Sequence, residues 1–174
     1  MTDAPNTPDA NQPGAGNPAS GPSVRVLGQY VKDLSFENPG APETLRAAAV
    51  QPQIDLGIDV GARSIDAETF EVELNMSARA QRDNTALFVC ELTYAGLFQV
   101  RGLDANQREA FLLVEAPRLL FPFARQIVAG ATQDGGFPPL MLEPVDFASL
   151  YRQQLAQRAA AGNGGAAGEP SGNA

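Results

Sequence analysis

Few residues in this 174-residue sequence could carry covalent chemistry. It holds no histidine and one cysteine, Cys90. Without histidine there is no Ser-His-Asp or Cys-His arrangement and no histidine-based metal site. Cys90 alternates in phase with Phe88 and Leu92, so it reads as a packed, inert thiol rather than a nucleophile. Asp55 and Asp59 could pair as acids or hold a cation. They alternate with Ile54, Leu56, Ile58 and Val60, which places them on the wet face of a strand as solvated carboxylates. Gly135-Gly136 follows a helical stretch, not a strand, so it reads as a helix stop and not a phosphate loop. These readings argue against an enzyme, and neither a metal nor a cofactor is expected.

The elements that must position these residues change character midway. Val24 to Phe36 is a strand candidate rich in β-branched and aromatic residues. Asn38-Pro-Gly-Ala-Pro42 forces an irregular connection. A second strand covers Gln53 to Val60. Phe70, Val72, Leu74, Met76 and Ala78 alternate with Glu71, Glu73, Asn75, Ser77 and Arg79, giving the most regular strand in the chain. Arg82-Asp-Asn84 makes the turn into a fourth strand, Thr85 to Val100, with Phe88, Cys90, Leu92, Tyr94 and Phe98 on one face.

The period then becomes helical. Asp104 and Gln107 have the spacing of a capping box. A helix is expected from there to about Ala116, where Pro117 should interrupt it. It should resume with Leu120, Phe123, Ala124, Ile127, Val128 and Ala131 on one apolar face. Pro144 at the first helical position, with Asp146 in the first turn, is expected to open a last helix striped by Phe147, Leu150, Tyr151 and Leu155. The fold class expected is α+β: a four-stranded antiparallel sheet followed by a long helix and a C-terminal helix.

Composition sets the limits of that domain. Residues 1–23 and 159–174 carry little apolar side chain beyond alanine and are expected to be disordered tails. The folded unit is expected over 24–158. The N-terminus lacks the pattern of a signal peptide, and no apolar run approaches the length of a membrane span. These features point to the cytoplasm. A net charge of -8 opposes nucleic acid and anionic membranes and favours a basic partner. Two helices cannot cover both faces of a four-stranded sheet. Self-association or an exposed groove for a client must account for the remaining apolar side chains.

Five stretches together resemble one family. Tyr30–Pro39 (YVKDLSFENP), Phe88–Glu91 (FVCE), Leu120–Arg125 (LFPFAR), Gly136–Leu140 (GFPPL) and Leu142–Phe147 (LEPVDF) resemble the bacterial export chaperone family SecB. The likeness covers about Val26 to Leu155. It implies a homotetramer, built as a dimer of dimers. It implies an ATP-independent holdase that binds unfolded preproteins and delivers them to the ATPase SecA. By the same resemblance, Asp33, Glu37, Val89 and Glu91 match positions that meet the basic, zinc-binding tail of SecA. Phe36, Val50, Ile54, Leu56, Ile58, Phe123, Tyr151 and Leu155 match the client groove. Val50 stands where a tryptophan is common in the family, which leaves a smaller apolar wall. A scaffold or adaptor on the same fold, or a toxin-linked relative, is the competing expectation. Retention of the four SecA-facing positions favours the export chaperone.

Overall fold

The computed structural model describes residues 21–46, 52–83 and 85–163, with 158–163 described as backbone only. Four antiparallel strands form one sheet: β1 Ser23–Glu37, β2 Gln53–Ser64, β3 Thr69–Arg82 and β4 Thr85–Arg101. Their order is β1-β4-β3-β2, so β1 and β2 are the free edges. A single helical turn, α1 Glu43–Arg46, interrupts the β1–β2 connection. The helices after the sheet are α2 Ala105–Ala110, α3 Ala116–Asp134 and α4 Phe147–Asn163. This is the α+β arrangement expected from the change of period.

Register fixes the two faces of the sheet, because residues directly opposite in an antiparallel pair share a face. Ile58 stands opposite Met76, and Met76 opposite Leu92. Leu92 in turn stands opposite Leu34. This face carries the core: Val72, Leu74, Met76, Leu92 and Phe98 are all buried. Helix α3 lies on it through Leu120, Ala124 and Val128. Gly96 makes that approach possible, since a Cβ there would stand 2.7 Å from Leu120 Cδ2. Helix α4 joins the core through Phe147, whose ring meets Phe121 edge-on at 5.9 Å.

Four local devices shape the helices. The capping box is present: the Gln107 amide donates to Asp104 Oδ1 at 2.8 Å, and the Asp104 amide to Gln107 Oε1. The expected break at Pro117 does not occur. A π turn, Phe111–Glu115, joins α2 to α3, and the Ala116 amide reaches back to the Phe111 carbonyl. The wider turn re-phases the helix just before a residue with no amide hydrogen, so the chain passes through. The last helix also starts later than expected. Pro144 lies outside the helix, and Asp146 precedes the helix as its cap, accepting from the Ser149 amide at 3.0 Å. A carboxylate that satisfies a free amide of the first turn competes well for the cap position. The Gly135-Gly136 stop is found as expected, with Gly136 at φ 87°.

Strand β1 is less regular than its sequence suggests. Val26 faces Phe98 while Gly28 faces Leu97, and Val31 faces Tyr94 while Asp33 faces Thr93. Leu27 and Lys32 are therefore extra residues, two β-bulges that each reverse the alternation.

Candidate functional site: an acidic sheet face and an apolar groove

The outer face of the sheet, opposite α3, is where all four residues expected to face SecA gather. Register rows run across it: Asp33–Thr93–Asn75–Asp59, Ser35–Glu91–Ser77–Gly57 and Glu37–Val89–Arg79–Asp55. Asp33, Glu37 and Glu91 are exposed and Val89 is half-buried. Asp33, Asp59, Asn75, Ser77, Glu91 and Thr93 line a shallow depression of about 460 Å³. Its floor is polar but internally satisfied, with Thr93 Oγ1 donating to Asn75 Oδ1 at 2.9 Å. Among the described residues none of Asp33, Glu37 and Glu91 is in an ion pair. Such a face attracts cations through summed charge rather than any single contact.

Beside this depression sits a charged cluster that periodicity did not single out. Glu71 points outward by alternation yet is buried, its side chain 3% exposed. Arg63 and Tyr30 both hydrogen-bond to it, and Lys32 Nζ lies 3.2 Å from its Oε2. Lys32 also pairs with Glu73. The Arg63 guanidinium first, then the Tyr30 hydroxyl, hold the Glu71 carboxyl down to about 2. The hydrogen bond to that carboxylate in turn raises the Tyr30 phenol. A signal was available in the sequence: Lys32 is the only lysine in the chain.

The expected groove residues fall in separate places on the other face. Ile58 and Tyr151 come together, lining a cavity of about 190 Å³ with Val60, Leu113 and Leu150. Ile54 and Leu56 continue along β2, with Leu56 44% exposed. Leu155, on α4, is also exposed. Phe36 is not beside them. It stacks on Phe88 at 5.6 Å and tilts against Phe137 at 6.4 Å, over Gly135, where a Cβ would meet its ring. Phe123 sits on α3, 48% exposed, stacked on Tyr94 at 6.4 Å. Val50 lies outside the described residues. Val60, Leu113 and Leu150 were missed as lining residues, because only the packing of α4 over the π turn brings them together.

Cys90 is buried on the core face, and burial pushes its thiol up, so it stays protonated. Among the described residues no cluster of histidine, cysteine and carboxylates could hold a metal. No described helix is long and apolar enough to cross a membrane.

Comparison with known proteins places this geometry. The family profile described as preprotein translocase subunit SecB matches residues 17–158. The chain is 61% identical to the protein-export protein SecB of Maricaulis maris, over 94% of this chain and 92% of that one. It is 57% identical to the SecB of Hyphomonas neptunium, over 95% and 99%. Among solved structures it resembles the Mycobacterium tuberculosis SecB-like chaperone Rv1957, captured in complex with a ChAD peptide from the HigA1 antitoxin. The TM-score is 0.60 at 19% identity, over 70% of this chain and 90% of that one. At that identity the likeness bears on the fold.

Proposed function

The chain belongs to the SecB family, a family of protein-export chaperones, and we propose that it holds unfolded preproteins without ATP and passes them to SecA. The observation that carries this reading is the register of β1 against β4. It sets Asp33, Glu37, Val89 and Glu91 on one face, while Leu34 and Phe36 share the opposite face with Leu92 and Cys90. Delivery and holding then use separate surfaces of one sheet.

On the acidic face, Asp33, Glu37, Val89 and Glu91 contact SecA, whose basic tail complements the charge. On the apolar face, Ile54, Leu56, Ile58, Phe123, Tyr151 and Leu155 bind clients, Phe36 adds a separate apolar patch with Phe88 and Phe137, and Val50, outside the described residues, is a client contact by its match to the family. The free edge of β2 adds main-chain hydrogen bonds to an extended client. Separate apolar patches suit clients that share no sequence.

The working form is a homotetramer, a dimer of dimers, in the cytoplasm. Leu119 on α3, and Val31 and Leu34 on the core face of β1, are exposed large side chains. A second copy would cover them.

The decisive experiment dilutes an unfolded, slow-folding preprotein with and without this protein, in the absence of ATP, and follows complex formation by size exclusion. A complex that keeps the preprotein unfolded and releases it on addition of SecA is the expected result. Unchanged refolding with no complex would leave a scaffold on the same fold.

A further inference from the structure

The bulge at Lys32 decides which way Asp33 points. Tyr30 faces Ala95 on the outer side of the sheet, and Val31 faces Tyr94 on the core side. Strict alternation from Tyr30 would turn Lys32 outward and Asp33 inward, and would expose Leu34 and Phe36 on the acidic face. The extra residue leaves Lys32 outward and turns Asp33 outward as well, so Asp33 stands opposite Thr93, one row from Glu91.

A bulged residue forfeits part of its ladder pairing, so something else must favour the extra residue at that point. Here its side chain is held from a distance. Lys32 reaches across β4 to Glu71 and Glu73 on β3. The β4 residue between Tyr30 and Glu73 is Ala95, small and fully buried, which leaves the bridge a path. Glu71 is itself fixed by Arg63 from β2 and by Tyr30 from β1, so the clasp ties β1, β2 and β3 together across β4.

We propose that Lys32 is a positioning residue: its clasp by Glu71 and Glu73 sets the β1 bulge and thereby presents Asp33 beside Glu91 to a basic partner. The clasp has a second effect. It pairs the only lysine in the chain with two carboxylates, so its charge does not offset Asp33, its neighbour in sequence. This inference rests on the reading of the acidic face as the SecA contact.

The sign of one substitution separates positioning from simple charge. Lys32→Met removes a positive charge beside an acidic face, so electrostatics alone would tighten binding of a basic partner. Positioning requires the opposite. With purified SecA as the probe and the full-length chain as the ligand, Lys32→Met should weaken binding about tenfold, the loss of one well-placed charge contact. Lys32→Arg should restore most of it. In an Asp33→Asn background, Lys32→Met should have no further effect, which a general loosening of the sheet would not produce. Client holding should be unchanged. Should Lys32→Met fail to assemble, Lys32→Gln takes its place in the same cycle.

Glu91→Lys is the control. If Glu91→Lys weakens SecA binding while Lys32→Met leaves it equal or tighter, the positioning role is wrong and the SecA reading stands. If Glu91→Lys has no effect, the SecA reading itself fails, and the positioning role falls with it.

Discussion

The Leu140 amide donates to Thr132 Oγ1 at 2.9 Å, and Thr132 is completely buried. The threonine hydroxyl in turn donates back into α3, to the Ala129 carbonyl at 2.9 Å or the Val128 carbonyl at 3.1 Å. One side chain thus ties the segment after Gly136 to the helix. That segment also carries Phe137, which packs on Phe88 at 5.0 Å, and the buried Leu142.

Thr132→Val keeps the shape but leaves the Leu140 amide without its acceptor. The Leu140 amide is part-buried, so the expected loss of stability is about 1 kcal/mol, the low end of the cost of an unsatisfied donor. Thr132→Ser keeps the acceptor and should cost clearly less. Denaturant unfolding of both variants checks this, and a loss confined to Thr132→Ser would show that the methyl packing, not the bond, matters.

Glu71 gives the protein an acid limit. Its folded-state pKa, about 2, lies below the ordinary 4.5. A depressed carboxylate stabilises the fold fully above its unfolded value, and that contribution is lost as pH falls from about 4.5 toward about 2. Stability measured by denaturant from neutral pH downward should therefore fall over that window. Glu71→Gln should be less stable at neutral pH and should flatten the acid limb. An unchanged acid limb in that variant would assign the transition to other carboxylates.

Glu91→Lys should weaken SecA binding and leave client binding intact, because Glu91 and its neighbours Cys90 and Leu92 face opposite sides of the sheet. Wild-type binding to SecA should also weaken as salt rises, since exposed charges are screened. Calorimetry at two salt concentrations measures both effects. Parallel loss of SecA and client binding, with assembly intact, would count against two separate surfaces.

The full-length chain should scatter light as a tetramer at micromolar concentration. Leu119→Glu places a charge on an exposed apolar position of α3. It should shift the population to smaller species, because an unpaired buried charge is costly at an interface. A wild-type monomer would remove the proposed role of the α3 face.

Much of this protein was legible in its sequence. Period-two alternation located β2, β3 and β4, and the change to a helical period located the long helix. Asp104 with Gln107, and Gly135 with Gly136, marked its start and stop because caps are local chemistry. That Asp33 and Glu37 share a side opposite Leu34 and Phe36, and Glu91 a side opposite Cys90 and Leu92, also followed from alternation with their immediate neighbours.

What lay beyond the sequence depended on partners distant in the chain. The order β1-β4-β3-β2 places Lys32 within reach of Glu71 and Glu73, about 40 positions away. No local period reports such a distance. The two bulges of β1 are defined only against β4, since a bulge is a mismatch between strands rather than a property of one. Pro117 read as a break because its missing amide is a local fact. The π turn that accommodates it forms where α4 packs over the helix and the sheet lies beneath it. Alternation set Glu71 only among the polar residues opposite the apolar face of β3. Only the convergence of Tyr30, Lys32 and Arg63 from two other strands buries it, and that convergence is a property of the folded sheet.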